Sequence, residues 1–146
     1  MIFCDVNILV YAHRADSPDH AFYKKWLLNV INSRTSFAVN DTIFSGFLRI
    51  ITHRKIFKTP STFEHGEQFV KVLREHPNAM PIIPDDDHWF IFTELCKKYQ
   101  CSGNLVPDAY IAALAMGSGC TLATADRDFD RFKKLKVVHP FDERDF

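Results

Sequence analysis

No long hydrophobic run, no paired-cysteine motif and no excess of charge of either sign is found in these 146 residues. No apolar stretch approaches the roughly 20 residues that a membrane-spanning helix requires. No basic region precedes the first apolar run, and Asp5 interrupts that run. A secretory leader is therefore not expected, and the cytoplasm is the expected location. The four cysteines, Cys4, Cys96, Cys101 and Cys120, form no C-x-x-C pair. Neither they nor the seven histidines fall at zinc-ligand spacing. Free, mostly buried thiols are expected instead. Lys plus Arg and Asp plus Glu both number 18, so the formal net charge is zero. That argues against a protein that binds nucleic acid through overall basicity, but leaves room for a nuclease with a local basic strip.

The length suits one domain over residues 1–146, large enough to bury a core. Apolar residues make up 47% and charged residues 25%, an ordinary balance for a globular chain. The 14 phenylalanines read as core, with interface as a further use. There is no internal repeat, low-complexity tract or second-domain boundary.

Apolar runs and helical spacings alternate along the chain. Ile2 to Cys4 predicts a strand, and Ile8 to Tyr11 a turn or short helix after it. Asp16-Ser17-Pro18 predicts a helix start leading to about Ile31. Ser36 to Val39 reads as a second strand, followed by caps at Asn40 to Thr42 and a helix through Ile51. Pro60-Ser61-Thr62 opens another helix, and Met80 to Ile83 a third strand. Asp85 to Asp87 read as the acidic start of a helix that carries Trp89, Phe90, Phe92, Leu95 and Cys96 at helical spacing. Pro107-Asp108 starts an alanine-rich helix through Met116, whose small residues predict close packing on a sheet. Cys120 to Ala125 is the fourth strand, Asp128 caps a short helix through Phe132, and Val137-Val138 lies in a fifth strand. The alternation implies an α/β fold with a mainly parallel sheet of about five strands.

Four aspartates fall where strands end or helices begin: Asp5, Asp108, Asp126 and Asp128. In an open parallel sheet the active crevice lies beyond the carboxyl ends of the strands. Acids gathered there repel one another unless a cation sits between them. A hard dication such as Mg2+ or Mn2+ wants oxygen ligands, and so points to phosphate chemistry. Each acid also has a structural reading. Asp128 can cap a helix, Asp108 can serve the helix dipole, and Asp126 can form a turn. Asp5, between two apolar segments, is the hardest to explain structurally. Asn7 can orient Asp5 or turn the chain, and Thr124 can support the acids or simply build a strand. Arg49, His53, Arg54, Lys55 and Lys58 form a basic segment, either a strip for a phosphodiester backbone or a solvated helix end.

Met1 to Asn7, Phe47-Leu48-Arg49-Ile50, Gly103 to Ala109 and Thr124 to Phe129 together resemble the PIN-domain ribonucleases. They are most similar to the VapC-type toxins of bacterial toxin–antitoxin pairs, in order and over nearly the whole chain. The resemblance implies a three-layer α/β/α fold and Mg2+- or Mn2+-dependent RNA cleavage. It also implies a cognate antitoxin that covers the acidic crevice, and a homodimer. Carried over by position, Asp5, Asp108 and Asp126 match the acidic, metal-holding sites, with Asp128 as a fourth catalytic acid. Asn7 and Thr124 match supporting positions, and Arg49, Arg54 and Lys55 are candidates for RNA contact. Gly46 stands where many PIN nucleases carry a glutamate. A PIN module that binds RNA or protein without cutting is therefore the alternative. A phosphatase on a similar sheet is weakened by Asn7, which occupies the place of its second acid.

Overall fold

The computed structural model describes residues 1–143, so the last three residues of the expected domain lie outside the described part. Five strands form one sheet: β1 (Ile2–Cys4), β2 (Phe37–Val39), β3 (Ala79–Pro81), β4 (Thr121–Ala123) and β5 (Val137–Val138). Their spatial order is β3-β2-β1-β4-β5, and every pairing is parallel. The helices are α1 (Val6–His13), α2 (His20–Ile31), α3 (Asp41–Ile51), α4 (Phe63–Arg74), α5 (His88–Lys98) and α6 (Leu105–Gly117). Helix α1 packs on α2 and α3, α3 on α4, and α5 on α6. The result is the expected three-layer α/β/α arrangement.

The order of the sheet positions everything that follows. The chain runs from β1 outward to β2 and β3, then returns to lay β4 and β5 on the other side. Consecutive crossovers thus diverge between β1 and β4. At such a switch point the connections leave an open crevice beyond the strand ends. Cys4 pairs with Ala123, and Asp5 N–H donates to the Ala123 carbonyl at 2.9 Å. The residues just after both strands therefore emerge side by side.

The core is apolar on both sides of this seam. Phe3, Leu122, Ala123, Phe47 and Phe129 are almost wholly buried. Helix α6 lies close to the sheet because Ala109, Ala112, Ala113 and Ala115 present no bulk, and all four are 0% exposed. All four cysteines are free, but only Cys120 is buried; the other three are half-buried. Among the described residues no helix is long and apolar enough to cross a membrane.

Of the turn and the short helix expected at Ile8 to Tyr11, the helix forms, because the Asp5 carboxylate caps it by accepting from Val6 N–H at 2.8 Å. Other local readings need correction. Helix α2 starts at His20, not at Asp16 to Pro18, because Arg14 takes both Asp16 oxygens and removes that cap. Helix α6 starts at Leu105, so Pro107 sits within its first turn, where a missing N–H breaks no bond. Asp126, not Asp128, caps the 3-10 helix Arg127–Arg131, accepting from Asp128 N–H at 2.9 Å. Strand β3 stops at Pro81. The caps at Asn40 and Thr62 form as read, Asn40 accepting from Thr42 N–H and Thr62 from His65 N–H.

Candidate active site

Asp5 is held on both oxygens. One accepts from Val6 N–H at 2.8 Å; the other accepts from Thr124 Oγ1 at 2.8 Å and Asn7 Nδ2 at 3.1 Å. Thr124 is 0% exposed and is the hub of this network. Its hydroxyl donates to Asp5 and accepts from Asn7 Nδ2 at 3.2 Å and Asp126 N–H at 3.0 Å. Asn7 Oδ1 in turn accepts from Ala125 N–H at 3.1 Å. Two strand ends more than a hundred residues apart are thus stitched into one polar knot. Every polar group in it is satisfied, as burial demands. Asn7 is a brace here, which leaves no second acid for a phosphatase of the kind considered above.

Three carboxylates gather beside the knot. Asp108, Asp126 and Asp128 each offer an oxygen, and these oxygens lie within 4.8 Å of one another. The tightest trio therefore contains Asp128 in the place given to Asp5. Asp5, Asp108 and Asp126 nevertheless line one cleft of about 840 Å³. Burial pushes the Asp108 carboxyl up to about 6, helped by the charges of Asp126, Asp5 and Asp128 and opposed by Arg131. Asp5 is also raised, by burial first, against the lowering bonds from Thr124 and Val6.

The donor set tests whether a metal fits. All groups are hard oxygens, as Mg2+ and Mn2+ require. The cation nearest the trio in the ion pairs is Arg131, whose Nη2 stands 3.8 Å from Asp128. At that distance and exposure it compensates little. The excess negative charge is what a dication would neutralise, so the residues fit. Arg131 was missed in the sequence, although its spacing of three from Asp128 is a helical pairing distance. His139 was also missed. It lies beyond β5 and links the Thr124 carbonyl to Asp130, each at 2.8 Å, and only the sheet brings these together.

Among the basic candidates, Arg49 lines the cleft, whereas Arg54 and Lys55 do not and sit exposed on the loop after α3. Gly46 lines the cleft as well, and a Cβ placed there would stand 3.1 Å from Val6 Cγ2. A glutamate at 46 thus needs Val6 to yield by a few tenths of an ångström before it reaches toward the acids. We expect Gly46→Glu to tighten Mn2+ binding about tenfold, because a further carboxylate adds to the negative charge that the dication neutralises; tenfold corresponds to roughly 1.4 kcal/mol. Calorimetric titration checks this, and equal affinity and rate in the two proteins would rule out a missing ligand.

The PIN domain family matches residues 2–135. Ribonuclease VapC43 of Mycobacterium tuberculosis is 38% identical over 142 residues, 97% of each chain. The structure titled VapBC2 from Rickettsia felis bound to a promoter DNA fragment superposes with a TM-score of 0.66. It is 22% identical and covers 94% of this chain and 98% of that one. A structure titled toxin–antitoxin complex, from Klebsiella pneumoniae, superposes with a TM-score of 0.60 at 21% identity, covering 95% and 96%. With the acids, the parallel sheet and the order of motifs already in place, likeness of this extent admits one conclusion: the chain belongs to the PIN domain family, among the kin of the VapC ribonucleases.

Proposed function

We propose that this chain is a single-domain, metal-dependent endoribonuclease and the toxin of a toxin–antitoxin pair. The observation that carries the reading is the convergence of Asp108, Asp126 and Asp128 within 4.8 Å, at a cleft that Asp108 and Asp126 line together with Asp5. The relatives named as ribonucleases extend over nearly the same length.

Asp108, Asp126 and Asp128 would hold Mg2+ or Mn2+, with Asp5 as the adjoining acid. When bound, the metal supplies charge neutralisation at the phosphate and acidifies a water for attack. The protein's own groups do the rest. Thr124 and Asn7 fix the Asp5 carboxylate in orientation. Arg49, exposed at the end of α3, offers a phosphate contact at the cleft. Arg54 and Lys55 extend that positive surface along the loop, weakly and in a salt-dependent way. A cognate antitoxin covering the acids and a homodimeric, cytoplasmic protein complete the proposal. A module that binds without cutting, raised by Gly46, is not favoured, since three carboxylates still share one site.

Structured RNA incubated with the protein tests the reading. We expect cutting with Mn2+ and none with EDTA. Equal background in both would leave the enzyme reading without support.

A further inference from the structure

The connection from α3 to α4, residues 52–62, forms one wall of the cleft. Its ends meet where Ser61 N–H donates to the Ile51 carbonyl at 2.8 Å. Ile56 and Phe57 line the cleft, and both of their N–H groups donate to the His53 carbonyl at 3.1 Å. The basic residues His53, Arg54, Lys55 and Lys58 ride on the same segment. Surface loops of this kind are mobile unless tied down.

The tie is Arg14, at the C-terminus of α1. It is 9% exposed. Nε and Nη2 fork onto Asp16 at 2.9 and 2.6 Å. Nη1 donates to the Thr59 carbonyl at 2.9 Å and to Ser61 Oγ at 3.1 Å. The guanidinium carbon stands 4.0 Å over the Phe57 ring. Ser61 Oγ is also bonded to His13 Nε2 at 3.1 Å. A buried guanidinium needs its partners satisfied. Asp16 alone would balance the charge, yet the remaining donor and the face of the guanidinium go to this one loop and to the ring that faces the cleft.

We infer that Arg14 is a positioning residue for RNA: it holds the Ile56–Phe57 wall, and the basic segment with it, in the place that receives substrate. The inference rests on the ribonuclease reading. Arg14 does not line the cleft and makes no bond to the acids, so it acts through the loop. Lysine cannot replace it, because an ammonium has neither the planar fork nor the stacking face.

The test uses Arg14→Lys, Phe57→Ala and the double variant in the full chain. Cleavage of a fluorescein-labelled RNA oligonucleotide with Mn2+ gives KM and kcat. Manganese titration without RNA and thermal melting accompany it. We expect KM to rise about tenfold in each single variant, since small misplacements of a binding wall act on this scale. We expect kcat and manganese affinity to hold, and the double variant to match the worse single one, because coupled groups are not additive. An unchanged KM in folded Arg14→Lys overturns the inference. So does a parallel fall of kcat, manganese affinity and melting temperature, which marks a merely structural residue. Should Arg14→Lys fail to fold, Ser61→Ala, which removes an acceptor of Arg14 outside the cleft, decides in the same way. Failure of wild type itself to cut RNA removes the ribonuclease reading, and is seen without any variant.

Discussion

Asp108→Asn abolishes RNA cleavage, by on the order of a thousandfold, while the metal-free protein becomes more stable. The loss follows from removing one of three carboxylates that share a site, since charge stabilisation at phosphate is worth several kcal/mol and each 1.4 kcal/mol is tenfold in rate. The gain in stability follows from the raised pKa. The Asp108 carboxyl titrates near 6 in the fold, held there by burial and by Asp126, Asp5 and Asp128, against an ordinary value of 3.8. Between those values the folded chain binds more protons than the unfolded one. The stability this proton contributes is full below pH 3.8 and is lost as pH rises through 6. After allowance for partial exposure, the effect is on the order of 1 kcal/mol. Melting curves from pH 4 to 7 without metal should therefore show a fall in wild type that is shallower in Asp108→Asn. Added Mn2+ should restore wild type at pH 7 and leave the variant unmoved. Full activity in Asp108→Asn would remove the acid trio from the mechanism.

Thr124→Val destabilises the protein by about 3 kcal/mol, because each buried polar group left without its partner costs roughly 1–3 kcal/mol. Valine keeps the shape and removes the hydroxyl. Asp126 N–H loses its acceptor, Asn7 Nδ2 loses one of two, and Asp5 loses the 2.8 Å bond that opposes the upward push of burial on its carboxyl. Asp5 then rises further and is less often the anion that the site needs. A fall in melting temperature of roughly 10 °C is expected for a chain of this size. Thr124→Ser, which keeps the oxygen, should recover most of both stability and cleavage. A valine variant that melts with wild type would show that the hydroxyl is not the hub.

Much of the fold is written in patterns that act locally. The strand at Ile2 to Cys4, the caps at Asn40 and Thr62 and the alanine stripe of α6 can be read because each depends on near neighbours. Asp16 misled for the opposite reason. It has the chemistry of a cap, but the fork of Arg14 holds it elsewhere. Helix α6 begins two residues before Pro107, because proline is tolerated anywhere in a first turn and so does not mark the first residue. That Asp5, Asp108, Asp126 and Asp128 gather at one edge of the sheet was legible from their places beside strands. Which of them share the tightest grouping was not, because that depends on how a 3-10 turn aims Asp128.

Residue type and spacing alone carry the alternation of apolar and helical segments and the acids that follow them; that Gly46 lacks a carboxylate is visible only through the resemblance to PIN nucleases. That β1 and β4 are neighbours follows from the folded sheet and from nothing local. Hydrogen bonding in a parallel sheet, not proximity along the chain, laid Cys4 against Ala123 and so brought Thr124 to Asp5. The same long-range packing turned Arg14 from a surface-like charge into the tie of a loop forty-five residues away, because a buried guanidinium settles where its donors are satisfied.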